Sequence, residues 1–387
     1  MGRLIFEPSS CIRAVTKLSG CTACVDACPV ETILISQNNL PSFVPSECVE
    51  CGGCVGVCPS ESFSLHSFNT TDFFFDFAES GETLLSCRIN LPCIAVLSIE
   101  HLISLSIVKG GELVVDTGHC EECPHKEPLY RIIEESVAEA NHILEACGCD
   151  EIAIRKISAE ADLENPQTDI SDRRAFLRAI SVKGAAKAKR EFETLLDGAE
   201  DERREYEIDL AALAKVRQKS IPDKRKILFT ALKRVPKPSI YHTVARDEIS
   251  FLSQKYIEAE TCTNCQICYR ICPTGALSSD ARMSRIYFDA MLCIKCHACH
   301  DVCEPDAINI QPTFELKEFF EPTQRLLAKF TVLRCDECGV SFTSLHGERI
   351  CQRCAIEEEE ALGLWGLVEG EDGRVVQKDT AKKDEEI

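Results

Sequence analysis

Four runs of cysteines carry the chemistry in this sequence. Cys48, Cys51, Cys54 and Cys58 stand at C-x2-C-x2-C-x3-C spacing ahead of Pro59, and Cys262, Cys265, Cys268 and Cys272 repeat it ahead of Pro273. Cys293, Cys296, Cys299 and Cys303 keep the spacing, with Glu304 in the proline position. The remaining run, Cys21, Cys24, Cys28 and Pro29, lacks its first cysteine, whose place falls at Leu18. Thiolates so spaced hold [4Fe–4S] cubes: three on a tight loop reach three irons of one cube, and the fourth crosses to the other. That crossing predicts the quartets Cys28, Cys48, Cys51, Cys54; Cys262, Cys265, Cys268, Cys303; and Cys272, Cys293, Cys296, Cys299. The last site has Cys21, Cys24 and Cys58. We read Cys11 as its fourth ligand; the alternative is a [3Fe–4S] cluster on three thiolates. Merely buried cysteines, the bland reading, have no reason to keep this spacing.

Two further quartets follow a looser pattern. Cys87, Cys93, Cys120 and Cys123 lie between the paired runs, and Cys335, Cys338, Cys351 and Cys354 near the end form two C-x2-C knuckles. The second set suits tetrahedral Zn²⁺, which stabilises small folds outright; a rubredoxin-type iron uses similar knuckles. The central set is open to a [2Fe–2S] cluster, to zinc with His119 or His125 as a substitute ligand, or to a redox dithiol. The six quartets leave only Cys147 and Cys149 of the 26 cysteines, and Gly148 between them reads as a helix stop. His297 and His300 receive no ligand role.

The whole chain bounds the reading. Its 387 residues are 45% apolar, enough for several domains with ordinary cores. Cysteines this close cannot all pair with each other in good disulfide geometry. No secretory signal opens the chain, and the apolar stretch 91–108 is broken by Pro92, Glu100 and His101. The cytoplasm is the expected compartment, with no membrane insertion. A net charge of −20 disfavours nucleic acid and suits docking on a basic protein face.

Around the cysteines the sequence predicts an α+β multidomain chain. Residues 1–70 and 255–315 each carry two runs, with β-like segments at 32–35, 276–277 and 285–288. Residues 78–158 alternate strand and helix: strands at 84–87, 112–115 and 151–157, helices at 98–108 and 128–146. That order predicts a parallel βαβαβ domain with the central cysteines near strand ends. Residues 159–254 contain no cysteine. They read as a charged helical connector, with a linker at 162–168, helical spacing over 173–196 and 202–219, and a basic helix opening at Ile221-Pro222 that contains Lys224, Arg225 and Lys226. Charge runs of this kind face water, so we read a solvated connector; the alternative is a docking arm. A four-cysteine module at 330–356 and an acidic tail at 357–387, disordered at its end, complete the chain.

Parts of this pattern resemble known families. Residues 1–70 and 255–315 resemble bacterial two-cluster ferredoxins, and Cys11-Ile12-Arg13 followed by C-x2-C-x3-C-P resembles bacterial multi-cluster, polyferredoxin-type iron–sulfur proteins. The order Cys87, Cys93, Cys120-x2-Cys123 resembles the delta subunit of methyl-viologen-reducing hydrogenases, which implies a [2Fe–2S] cluster and a link to heterodisulfide reductase. Cys335–Cys354 looks like a zinc ribbon. Residues 171–177 resemble a twin-arginine export motif, but lie mid-chain without a following apolar stretch, and a helix N-cap explains them.

Dinucleotide fingerprint, P-loop, HExxH and GxSxG are not found. The expectation is therefore an electron-transfer protein, no enzyme by itself. It would relay single electrons to or within a flavin- or metal-containing oxidoreductase such as a hydrogenase, formate dehydrogenase or heterodisulfide-reductase-like enzyme. The rival class is a redox-sensing or assembly factor for a respiratory metalloenzyme. A complete enzyme at the central cysteines lacks any acid–base constellation.

Overall fold

Alternating apolar residues at both ends of each cysteine segment dictate a short strand pair. The computed structural model describes residues 4–157 and 203–365, with the backbone of 367–369 and 375–377. In the first segment β1 (Leu4–Phe6) pairs antiparallel with β4 (Phe63–Leu65), and β2 (Leu34–Ile35) with β3 (Pro41–Ser42). Leu4, Phe6, Phe63 and Leu65 point inward, as a period of two requires. Between the strands each cysteine run ends in a one-turn helix, Ala23–Asp26 or Gly53–Gly56. Helix α1 (Thr70–Glu79), capped by the Asn69 side chain, then buries Phe74, Phe75 and Phe77.

The central strands β5 (Leu84–Leu85), β6 (Val114–Asp116) and β7 (Ala153–Arg155) are parallel and lie side by side in chain order. The crossovers are α2 (Ile99–Lys109) and α3 (Lys126–Ala146), in which Glu127 is still extended, so the helix is regular from Pro128. Helix α2 is buried almost all round, which a wholly apolar helix would achieve more cheaply; its Glu100 and His101 are both inside. This domain presses on the first cysteine segment so closely that a Cβ at Gly56 would stand 2.1 Å from the Ala95 carbonyl oxygen.

Residues 203–254 depart from the expected connector. The helix predicted over 202–219 is reduced to α4 (Leu210–Val216), capped by Asp209. Before it the chain is extended and laid on the first segment: Arg204 N–H donates to the Phe43 carbonyl at 2.8 Å, and the Tyr206 ring packs edge-on against Phe6. Phe43 offers an unpaired strand edge and Tyr206 an aromatic anchor, and together they outweigh helix propensity. The basic helix exists as α5 (Asp223–Leu232), but it is not a solvated face. Lys224 and Arg225 are buried, with Arg225 at 0% exposure, while Lys226 and Lys233 face water. The predicted linker at 162–168, the helical spacing at 173–196 and the motif at 171–177 lie outside the described residues.

The second cysteine segment repeats the first. β9 (Lys255–Ile257) pairs with β12 (Ile308–Ile310), and β10 (Leu277–Ser279) with β11 (Arg285–Asp289), all antiparallel. It reaches beyond 255–315. β8 (Thr243–Ala245) pairs with β13 (Thr313–Glu315), and β14 (Gln324–Lys329) adds a third strand beside β11. The last cysteines sit on the hairpin of β15 (Thr331–Arg334) and β16 (Ser341–Ser344) and on α6 (Gln352–Leu364). Helix α6 runs through Glu357–Glu360, so the acidic run begins as helix rather than tail, helped by an Arg353–Glu357 ion pair at 3.3 Å. The chain end, 378–387, lies outside the described residues. Among the described residues no helix is long and apolar enough to cross a membrane.

Helix α5 joins the three parts. Its N-terminus is capped by Glu61 of the first segment, whose carboxylate accepts from the Asp223 and Lys224 N–H groups at 2.6 and 3.1 Å. Lys224 Nζ donates to the Cys58 carbonyl at 2.8 Å and lies 3.8 Å from Glu100 of α2. Arg225 donates to the carbonyls of Met291, Cys293 and Phe251 and to Glu100 at 3.3 Å. Burial alone would raise the Glu100 carboxyl, but Lys224 and Arg225 pull it from its ordinary 4.5 to about 2. A carboxyl lowered by folding stabilises the fold above its ordinary range and stops doing so as pH falls through the folded value. Stability should therefore drop as pH is lowered from about 4.5 to about 2. Glu100→Gln at neutral pH leaves two buried cations short of their counter-charge and should cost about 3–5 kcal/mol, read from the urea midpoint under anaerobic conditions.

Candidate metal centres

The three complete runs share one backbone device. Each residue just before and just after the second cysteine turns into the left-handed region: Glu50 and Gly52, Asn264 and Gln266, Lys295 and His297, with φ between 47° and 76°. Such turns aim successive N–H groups into a concavity where sulfur and anionic clusters sit. Gly52 takes this conformation freely, and the other five bear its strain. In the incomplete run Thr22, the residue after Cys21, has φ −125° instead. Leu18 points into solvent at 67% exposure.

Cys11 lies beside that run. It follows a 3-10 turn, Pro8–Ser10, with φ −72° and ψ 135°. Cys48 and Cys293, first cysteines of complete runs, follow 3-10 turns at φ −73°, ψ 124° and φ −71°, ψ 130°. Cys11 thus has the local backbone of a first cysteine, moved upstream. Burial pushes its thiol up to about 12, with repulsion from Cys58 and Cys21 adding to it. Cys24 is raised by burial first and then by Cys58, Cys11 and Cys21, so these four thiols share one neighbourhood.

The other three sets are brought together in the same way. Burial raises Cys54 strongly, and Cys51, Cys48 and Cys28 add to it. Burial raises Cys268 to about 12, with Cys262 and Cys265 adding, while Cys303 acts on Cys262. Burial raises Cys296, with Cys293, Cys299 and Cys272 adding. Three small cavities of about 20 Å³ each are lined by one of these quartets apiece. That is far below the roughly 300–1,000 Å³ of an organic ligand site. Thiols that repel and desolvate one another are poor company as free anions, whereas a cationic inorganic core makes thiolates of them outright. The donor sets fit iron–sulfur clusters.

Models described as a 4Fe-4S dicluster domain match residues 19–63 and 254–304. This is a multi-cluster iron–sulfur protein. Its two dicluster domains mark an electron-transfer chain; the first match begins after Cys11, so that residue stands outside the common pattern. A search of curated proteins finds no match to the chain.

The iron–sulfur protein has two more quartets beside these domains. Centrally, Cys87 follows β5, and Cys120 sits on the 3-10 turn Gly118–Glu121 after β6. Asp116 ties these loops: it accepts from Ser86 Oγ at 2.8 Å, Arg88 at 2.9 Å, Gly118 N–H at 2.8 Å and Ile157 N–H at 3.1 Å. Burial raises Cys120 to about 11, with Cys87 and Cys123 adding. Burial raises Cys93 to about 12, with Cys51, Cys87 and Cys120 adding. At the C-terminal end, the sulfurs of Cys335, Cys338, Cys351 and Cys354 all lie within 4.8 Å of one another, with Cys338 and Cys351 at 3.7 Å.

Cys147 is buried at the end of α3, Gly148 stops the helix at φ 71°, and burial raises the Cys147 thiol to about 12, a packed and unreactive state. His300, given no ligand role, instead meets Lys255 at 2.7 Å. Sequence reading missed Lys255. It stands in phase with Ile257 on β9, so its inward direction was available from the period of two.

If Cys11 completes its site, Cys11→Ala leaves three thiolates there. An oxidised [3Fe–4S] EPR signal should then appear in the variant and be absent from wild type and from Leu18→Ala. The same signal in non-oxidised wild type would sink the assignment.

Proposed function

We propose that this chain relays single electrons along one row of cysteine-held clusters between two redox proteins. The observation that carries the proposal is the order in which the quartets neighbour one another. The central set meets the Cys28 set where Cys93 feels Cys51. That set meets the Cys11 set where Cys54 feels Cys24. The Cys11 set meets the Cys272 set across a small apolar cluster of Ile12, Ile294 and Ala298, with Cys296 against it. The row ends where Cys299 acts on Cys268 of the Cys262 set. The two dicluster domains, far apart in sequence, so become consecutive stretches of one path.

In this reading Cys11, Cys21, Cys24 and Cys58 hold one cube, and the three complete sets hold the other three. The last quartet holds Zn²⁺: a Zn–S bond of about 2.3 Å places tetrahedral sulfurs roughly 3.8 Å apart, which the separation of 3.7 Å supports. Among the described residues only that set gathers all its ligand atoms within 4.8 Å, so the wider central set suits a two-iron cluster better than a single metal. Asn264, beside Cys265, donates to Thr343 at 2.9 Å, so the zinc module braces the far end of the row. The partners are a flavin- or metal-containing oxidoreductase and its electron donor or acceptor, in the reducing cytoplasm that free thiols need. A chain of net charge −20 docks on a basic face, with exchange weakening as salt rises.

The test is composition followed by turnover. Anaerobically prepared chain should hold about eighteen iron atoms, from four cubes and one two-iron cluster, with one zinc. It should take electrons from dithionite and, without a partner, leave NADH, hydrogen and formate unoxidised. Iron sufficient for only two clusters, or turnover of any of those substrates by the isolated chain, overturns the relay.

A further inference from the structure

We propose that the cluster held by Cys272, Cys293, Cys296 and Cys299 is the electron sink of the row, reduced before the others and the resting place of a single stored electron. This rests on the relay reading. Three observations single out the site. Lys255 lines the same small cavity as the four cysteines. It is 3% exposed, and its Nζ lies 2.7 Å from His300 Nε2, next in chain to Cys299. The sulfurs also receive donors: Ser253 Oγ lies 3.3 Å from Cys293 Sγ, Lys295 N–H donates to it at 3.4 Å, and Leu277 N–H donates to Cys272 Sγ at 3.5 Å.

The other sites are dressed differently. The cavity of the Cys262 set is lined by Thr263, Asn264 and Gln266 and has no cation in its wall. That of the Cys28 set is lined, apart from its cysteines, by apolar residues, glycine and Thr32. Near the Cys11 set, Arg13 acts on Cys21, but Asp26 opposes it and the half-buried guanidinium is spent on the Cys21 carbonyl and Asn39, while buried Lys224 reaches the Cys58 carbonyl with Glu100 as its counter-charge 3.8 Å away. Ser62 N–H donates to Cys58 Sγ at 3.2 Å there.

Reduction adds one negative charge to a cluster. A buried cation and hydrogen bonds to sulfur stabilise that charge and raise the potential, and burial keeps solvent and salt from screening the effect. The transfer balances simply. One electron leaves a reduced neighbouring cluster, which returns to its oxidised state, and enters this one; no bond is made or broken and no proton moves. The first electron comes from a low-potential one-electron donor. The site lies inside the row rather than at an end, so electrons entering from either direction collect there.

The experiment is an EPR-monitored dithionite titration of the full anaerobic chain. In Lys255→Met the first component to be reduced should move to lower potential, its reduced-to-oxidised ratio at a fixed potential falling about tenfold, or ~59 mV for one electron. Lys255→Arg, which keeps the charge, should restore it. Ser253→Ala should move the same component by less, and Arg13→Met should leave it in place. If the first component stays put in Lys255→Met, or if a later component moves instead, the sink is elsewhere. Should Lys255→Met fail to retain its clusters, Ser253→Ala decides alone: a shift of the first component supports the proposal and its absence overturns it. Four cubes in wild type with no such shift in the variants remove the sink and leave the relay standing. Wild type without a cube at these cysteines removes both.

Discussion

A guanidinium with no exposure to water depends on the protein for its partners, and Arg225 finds those of Nη1 and Nη2 on three separate pieces of chain. Carbonyls at Met291 and Cys293 come from the second dicluster domain, that of Phe251 from the strap before it, and the carboxylate of Glu100 from the central helix. Lys224, its neighbour, takes the Cys58 carbonyl of the first domain. The charges are too costly to bury for their mutual attraction alone to repay. What the arrangement gives is position. Two successive residues of one helix fix the backbone of two cysteines, one in each dicluster domain, and the central domain supplies the counter-charge.

That constraint explains how two cysteine segments far apart in sequence are held side by side. Loops as short as the cysteine runs shape their own turn, but nothing within a run specifies where the next domain sits. Ile12 follows Cys11 and Ile294 follows Cys293, so packing these two side chains together brings two cysteine loops into contact. An apolar contact of that size slides easily. The clamp at Lys224 and Arg225 stops it from sliding, because hydrogen bonds to carbonyls have direction where methyl contacts have none.

Much of this was legible in the residues. Cysteine spacing located both dicluster domains, and alternating apolar segments located the central strands and helices to within a residue or two. Crossing of the fourth ligand, a general property of the motif, already grouped the thiols that lie together in space. What the sequence hid was long-range. Lys224 and Arg225 stand in a run of basic residues whose other members, Lys226 and Lys233, do face water, and no local pattern separates the two kinds. Glu100 reads as a break in an apolar stretch until its partners, more than a hundred residues away, are known. The extended path of residues 203–209 depends on an unpaired edge at Phe43, which local helix propensity cannot see.

The clamp also has an unusual relation to sequence change. Except for Glu100 and the Phe251 ring, 5.4 Å from the guanidinium, everything Arg225 grips is main chain, and so is the acceptor of Lys224 at Cys58. Main-chain carbonyls are the same whatever side chain they carry, so Met291 can drift in identity without loosening the grip, provided its bulk still fits, whereas Phe251 keeps an aromatic face under the guanidinium. The burden of preservation falls instead on Glu100, Lys224 and Arg225. Lysine in place of Arg225 offers a single nitrogen where the native fork spreads its donors over Nη1 and Nη2. Among relatives of this chain, the joint between two dicluster domains should be recognised less by the residues around the metal than by three charged positions that touch no metal at all.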